Sequence, residues 1–227
     1  LFFFCSNIVN QYLNGGKINK VLPHHCEQVG MVLSSLHNCT NDFHEKRMNR
    51  MNFSQWQSIF LKCKTNEFNN KFSKLIKIIE KELLYLEENW PIDLPQGIIH
   101  ADIFQDNVFF INNKFSGLID FYFACNDFLA YDIAITINAW CFDNKNKFNK
   151  DKLKSLIYGY ENYRKLTKKE INYLSILLRG ASIRILLTRL HDYIFHQKDA
   201  FVNPKDPYEY LEILKFHQHN NIENHLK

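Results

Sequence analysis

The chain has 227 residues, 46% of them hydrophobic and 23% charged, with a formal net charge of +4. That composition suits one large globular domain or two small ones with a sizeable core. A charge this small and this dispersed argues against a nucleic-acid partner. The six cysteines form no C-x-x-C pair and no His/Cys spacing that suits zinc. They read as reduced, mostly buried thiols of a cytoplasmic protein. Asn, Lys, Ile and Phe are plentiful, as a compositional bias of the genome would make them, so isolated Asn and Lys residues carry little functional weight.

In chain order, the apolar opening LFFFCSNIV falls far short of the roughly 20 residues a membrane span needs and lacks the basic start of a signal peptide. It reads as a buried strand and its exit over residues 1–13, followed by a turn at Asn14-Gly15-Gly16. Pro23 opens a helix to about His37, with Val29, Val32, Leu33 and Leu36 on one face. Ser54 can cap a short helix running through Lys62. Phe72, Leu75, Ile76, Ile79, Leu83 and Leu86 recur at helical spacing within a long helix over Phe68–Trp90, which Pro91 and Pro95 end. The texture then changes. Gly97–His100, Val108–Ile111 and Phe115–Ile119 read as short strands, the last two joined by the hairpin turn Asn112-Asn113-Lys114. Asp127–Trp140 and Lys150–Leu166 read as helices. Thr167-Lys168-Lys169-Glu170 is a capping box for a long helix to about Phe195. Asp206-Pro207 opens the last helix, with Pro207 at its first position. No repeat and no low-complexity linker appears. The fold class expected is α+β, predominantly α, with a small β-hairpin in its middle.

The hairpin gathers the chemistry. His100, Asp102 and Asn107 lie in the short gap between two strands, and Asp120 ends the hairpin's second strand. Asp102 and Asn107 are five apart, the spacing of a kinase catalytic loop, and Asp120 stands where a kinase has the Asp of its D-F-G motif, although no glycine follows Phe121. Phosphoryl transfer needs positioning and charge neutralisation above all. Asp102 can take or orient the proton of an attacking hydroxyl, and Asn107 and Asp120 offer the oxygen ligands that magnesium requires. His100 is better suited to pinning the turn than to acting as a base. Any one of these residues could be an ordinary turn residue. The correctly spaced set, with an Asp after a hairpin, favours chemistry. Asp106 is expected to be a loop acid, and a metal-hydrolase reading of His100-Ala101-Asp102 is weaker for want of a second His cluster at ligand spacing.

The run from His100 to Val108, the run from Ser116 to Asp127, and the block from Tyr131 to Phe142 resemble the homoserine kinases of the aminoglycoside-phosphotransferase-like type. So do Arg184–Leu190, Pro204–Pro207 and Lys215–His217. The resemblance covers nearly the whole chain. It implies the C-terminal lobe of a protein-kinase-like fold, ATP with Mg2+ as cofactor, and phosphorylation of L-homoserine, a step of threonine biosynthesis. It also implies Asp102 as catalytic base, Asn107 and Asp120 on the metal, and Asp132 as a structural acid that fixes the start of its helix. Gln105 departs from the usual proline, which should loosen the loop slightly.

For the substrate, a carboxylate calls for a planar guanidinium fork, for which Arg184 and Arg189 are the candidates. An ammonium calls for an acid, for which Asp127 is the candidate. The plainer alternative for Arg189 is an ion pair with Asp192 on its own helix. Trp140 is expected in the core. Kinases of this type also have an N-terminal lobe with a phosphate-covering glycine loop and a lysine, and neither motif occurs here. Residues 1–16 therefore resemble the last strand and hinge of that lobe, and 17–227 the helical lobe. On this reading the sequence is a fragment or the gene is truncated. The alternatives to a homoserine kinase are a choline- or aminoglycoside-type kinase and an inactive remnant.

Overall fold

The computed structural model describes residues 15–64, 69–143, 146–196 and 203–226. The expected strand at 1–13 lies outside them. Three helices come first: α1 (Pro23–Cys39), α2 (Phe53–Lys64) and α3 (Asn69–Asn89). Four short strands follow, β1 (Gln96–Ile99), β2 (Val108–Ile111), β3 (Lys114–Leu118) and β4 (Cys125–Phe128), and then α4 (Leu129–Trp140). A two-residue pair, β5 (Phe142–Asp143) and β6 (Lys147–Phe148), leads to α5 (Lys150–Glu161), α6 (Lys168–Ile194) and α7 (Tyr208–His219).

The strands decide where the polar loop sits. β2 and β3 form the expected hairpin, and its turn residues Asn112 and Asn113 take φ of 49° and 62°. Asn is among the few residues other than glycine that accept such a backbone, and its twist matches that of the flanking strands. β1 pairs antiparallel with β4, placing Gly97 opposite Asp127 and Ile99 opposite Cys125. Everything from His100 to Ala124 is thus an excursion that leaves one strand and returns on its neighbour. This corrects the reading of Asp127–Trp140 as one helix. The helix begins at Leu129, and Asp127 lies in the strand before it. An Asp ahead of an apolar periodic run looks like a helix cap from local sequence, but the pairing with β1 claims it.

Smaller corrections follow the same logic. Asn52, and not Ser54, supplies the oxygen that accepts the Gln55 N–H at the start of α2 (3.2 Å). The helix α5 stops at Glu161, short of Leu166. The capping box of α6 forms as expected, with the Glu170 N–H on Thr167 Oγ1 (3.1 Å) and the Thr167 N–H on Glu170 Oε2 (2.9 Å).

The core is built on α4 and α6. Eleven of the twelve residues of α4 are buried, among them Ile133, Ile135 and Trp140. α4 packs against α6, which also receives α2, α3 and α7. The 27 residues of α6 are long and apolar enough to cross a membrane. Its buried side chains and its position at the centre of the helices make it a core helix. α1 lies against α5 with almost no separation: a Cβ on Gly30 would stand 2.1 Å from the Leu156 carbonyl oxygen, and one on Gly159 2.0 Å from that of Glu27. Only glycine permits that approach, and it brings His37 of α1 up to Tyr160 of α5.

Candidate active site

The loop after β1 is held by charge from behind. Ala101 has a left-handed backbone, φ 63°, and is buried. Its N–H donates to Asp132 Oδ1 (2.9 Å), and the N–H of His100 donates to Asp132 Oδ2 (2.7 Å). From the other side, Arg184 Nη1 donates to the Ala101 carbonyl oxygen (2.6 Å). Asp132 is fully buried and also accepts from His37 Nε2 (3.2 Å). Burial opposes its charge, but the His37 hydrogen bond, the neighbouring imidazoles and the His100 N–H outweigh that and hold its carboxyl below the usual range. The chain of contacts continues: Tyr160 Oη donates to His37 Nδ1 (2.8 Å), Arg164 Nη1 donates to Tyr160 Oη (3.1 Å), and Arg164 pairs with Glu170 (2.8 Å). Asp132 was expected to fix the start of its own helix. It bonds instead to a loop more than thirty residues earlier.

His100 bridges the two halves of the site. Its Nδ1 accepts the Asp102 N–H (3.2 Å), and its Nε2 donates to the Ile119 carbonyl oxygen (3.0 Å), one residue before Asp120. Burial lowers its pKa, against the opposing pull of Asp132 and of the Ile119 hydrogen bond. Asn107 Nδ2 donates to both the backbone oxygen (2.8 Å) and Oδ2 (3.1 Å) of Asp102. The pKa of Asp102 is raised, chiefly by burial, against the opposing pull of Arg184 and His100. Asp120 is exposed, has φ 64°, and accepts the Tyr122 N–H (3.3 Å).

The residues put forward for substrate divide. Arg184 is 2% exposed, spent on Ala101 and set against the Phe123 ring at 5.2 Å. Its Nη1 is committed to backbone, while its buried Nε has no hydrogen-bond partner among the described residues. Arg189 is also buried and pairs with Glu209 on α7, not with Asp192. It lines a cavity of about 790 Å3 between the loop at Phe104–Asp106 and α7. Asp127 accepts from Asn49 Nδ2 (2.6 Å) and the Phe128 N–H (2.7 Å), and burial raises its pKa. Asp106 faces Lys205 at 3.5 Å. Gln105 does not loosen the loop: its Nε2 donates to the Ala139 carbonyl oxygen (3.0 Å), a bond proline cannot make. Trp140 is in the core, with its indole N–H on the Ile103 carbonyl oxygen (2.8 Å).

Sequence reasoning missed His37, Tyr160 and Asn49. The one signal for His37 was an imidazole on the apolar face of α1.

A carboxylate on a charge-pinned loop, a nearby asparagine and a second aspartate after a hairpin, all carried on a helical lobe, are the arrangement of the kinase-like phosphotransferase fold. The profile of the phosphotransferase enzyme family matches residues 8–166, and the chain belongs to that family. It is 46% identical to a homoserine kinase of Parvibaculum lavamentivorans over 207 residues, 91% of this chain and 64% of that protein. It is 44% identical to one of Sinorhizobium fredii over 210 residues, 92% of this chain and 64% of that protein. The chain thus spans 64% of the length of these curated relatives. Among solved structures, a Plasmodium vivax ethanolamine kinase superposes with a TM-score of 0.63 at 14% identity, over 95% of this chain and 65% of that one. A spectinomycin phosphotransferase in complex with ADP and spectinomycin gives 0.60 at 16% identity, over 96% and 68%. These two likenesses show the fold.

Proposed function

We propose that this protein carries out ATP-dependent phosphorylation of the side-chain hydroxyl of L-homoserine, giving O-phospho-L-homoserine. The hydrogen bonds of Asn107 carry the phosphoryl-transfer part of this reading. Its amide nitrogen is used twice on Asp102, which leaves Oδ1 with no protein donor among the described residues. With the exposed Asp120 carboxylate, that gives two oxygens of the hard kind that magnesium takes alongside substrate phosphates. No cluster of three His, Cys, Asp or Glu residues exists among the described residues to form an all-protein cage. A two-ligand site completed by phosphates suits magnesium, which would neutralise charge on the nucleotide. The naming of homoserine as acceptor rests on the relatives.

Asp102 then receives or orients the hydroxyl proton as the oxygen attacks. His100 and Asn107 fix the loop around it, and Arg184 and His100 temper the rise in its pKa that burial causes. Because that pKa is raised, the active carboxylate is lost on acidification sooner than an unperturbed one would be. Turnover should fall correspondingly early. The test is a coupled ADP-release assay with L-homoserine, choline and kanamycin, run on this chain and on the reading frame that contains it. L-homoserine should be the substrate turned over. Asp102→Asn should lower its turnover by about 10²-fold or more while leaving the melting temperature unchanged. Full activity in that variant would remove Asp102 from the role, and turnover of choline or kanamycin alone would replace the acceptor.

A further inference from the structure

We propose that Arg47 and Arg50, on the segment between α1 and α2, bind the carboxylate of the acceptor. The inference deepens the functional reading above and rests on it for the identity of the acceptor. It starts from an account of every guanidinium in the chain. Arg164 is on Glu170, Arg179 grips Glu82 through Nε (2.6 Å) and Nη2 (2.8 Å), and Arg189 is on Glu209; Arg184 has its Nη1 on Ala101 and an unpartnered Nε, but it is 2% exposed and lines neither the cavity beside α7 nor the one that Arg47 and Arg50 line. Arg47 and Arg50 are exposed and make no ion pair with any acid among the described residues.

Both line a cavity of about 500 Å3, together with Asn49, Tyr122, Phe123 and Cys125. Tyr122 and Phe123 lie two and three residues after Asp120, on the short turn that Asp120 caps, so one wall of the cavity is continuous with the Asp120 segment. Its volume is in the range of small-ligand pockets. The segment that carries the arginines is built into the site. The Arg47 carbonyl oxygen accepts the Asn126 N–H (2.8 Å), the Arg47 N–H donates to Asn126 Oδ1 (2.8 Å), and Asn49 holds Asp127. Three contacts to β4 thus fix an otherwise exposed loop, and the Arg47 guanidinium lies over the Tyr122 ring at 5.9 Å.

Charge decides between this cavity and the larger one. In the larger cavity Arg189 is matched by Glu209 and Lys205 by Asp106, and Asp143, Asp206 and Glu212 add further acid. A carboxylate entering there meets no spare cation. In the smaller cavity it meets two guanidiniums with unspent forks, the geometry that matches a carboxylate bidentately.

The test is isothermal titration of L-homoserine and of 3-amino-1-propanol, the same molecule without its carboxylate. Wild type, Arg47→Met, Arg50→Met and Arg47→Lys are compared, each checked for an unchanged melting temperature. Wild type should bind L-homoserine at least about tenfold more tightly than 3-amino-1-propanol. Each Met variant should lose roughly tenfold or more for L-homoserine and nothing for 3-amino-1-propanol, with Arg47→Lys in between. Unchanged L-homoserine affinity in both Met variants overturns the inference. So does a wild type that binds neither compound, or a loss of ATP affinity with L-homoserine affinity intact, which would give the guanidiniums to phosphate. Turnover is read separately. A wild type that shows the expected binding but does not phosphorylate L-homoserine sinks the functional reading and leaves the carboxylate site standing.

Discussion

Ala101 and Asp120 share an uncommon backbone, φ 63° and 64°, and are secured in opposite ways. A left-handed residue other than glycine costs about 1–3 kcal/mol, and alanine has no side-chain polar group to ease it. At Ala101 that cost is met by two buried charges from distant helices, Asp132 on its N–H and Arg184 on its carbonyl oxygen. At Asp120 the hold comes from within the loop and carries no buried ion: its own carboxylate on the Tyr122 N–H, the Ile119 N–H on the Asn107 carbonyl oxygen (3.0 Å), and His100 Nε2 on the Ile119 carbonyl oxygen (3.0 Å). The group assigned to proton transfer is therefore placed by the core of the lobe. The group assigned to the metal sits on exposed chain that can adjust to its ligand. The contrast separates two demands on a phosphotransferase site, a fixed base and an exchangeable cation.

The comparison breaks most visibly at Asp132. Asp132→Ala removes an acceptor from two buried N–H groups and from His37, and releases the strained Ala101 from one side. The expected loss is about 3–5 kcal/mol, read from urea unfolding at neutral pH. The sign of its pH dependence also follows. The folded pKa of Asp132 is lowered, so its contribution is present above the unfolded value and is lost as pH falls through the folded one. Wild-type stability should fall on acidification over that window, and Asp132→Ala should lack that part of the fall. A loss below about 1 kcal/mol would mean that the loop holds its shape without the helices, and the contrast with Asp120 would disappear.

Which parts of this were legible in the sequence depends on how far each interaction reaches along the chain. The hairpin turn at Asn112-Asn113, the capping box at Thr167 and the five-residue spacing of Asp102 and Asn107 are local, and each could be read directly. The pairing of Cys125–Phe128 with β1 was hidden, because Asp127 before an apolar periodic run looks like a helix cap. Arg184 drew attention as a cation on an apolar helix. Its partner is a backbone oxygen 83 positions away, which leaves no trace in local pattern. The same holds for His37, whose contacts lie 95 and 123 positions off. Arg47 and Arg50 were passed over because their neighbourhood has no periodicity, and only the folded cavity sets them beside Tyr122 and Phe123.

A smaller effect sharpens the comparison further out along the buried chain of contacts. Tyr160→Phe removes one hydroxyl, which donates to His37 and accepts from Arg164. The ring stays, so packing against α1 is kept and the change isolates the hydrogen bonds. A loss of about 1–2 kcal/mol is expected from two buried partners left short, measured by the same unfolding assay. If the Ala101 conformation depends on the whole chain of contacts, turnover should fall with stability. If turnover is unchanged at full folding, Asp132 alone carries the positioning and Tyr160 serves only packing.

The smallest change in stability is expected where the change in ligand binding is expected to be largest. Asp120→Asn keeps a side chain that accepts from the Tyr122 N–H and that tolerates a left-handed backbone. The residue is exposed, so no buried charge is created or lost. Its unfolding free energy should stay within about 0.5 kcal/mol of wild type. Any rise in melting temperature that Mg2+ and ATP together give the wild type should shrink, because ligand stabilisation follows affinity for the folded state and one of the two oxygens proposed for the metal has lost its charge. The paired outcome discriminates where activity alone cannot. An inactive and destabilised variant would make Asp120 a structural residue like Asp132. An inactive variant that melts like wild type but no longer responds to Mg2+ and ATP keeps the two left-handed residues in separate roles.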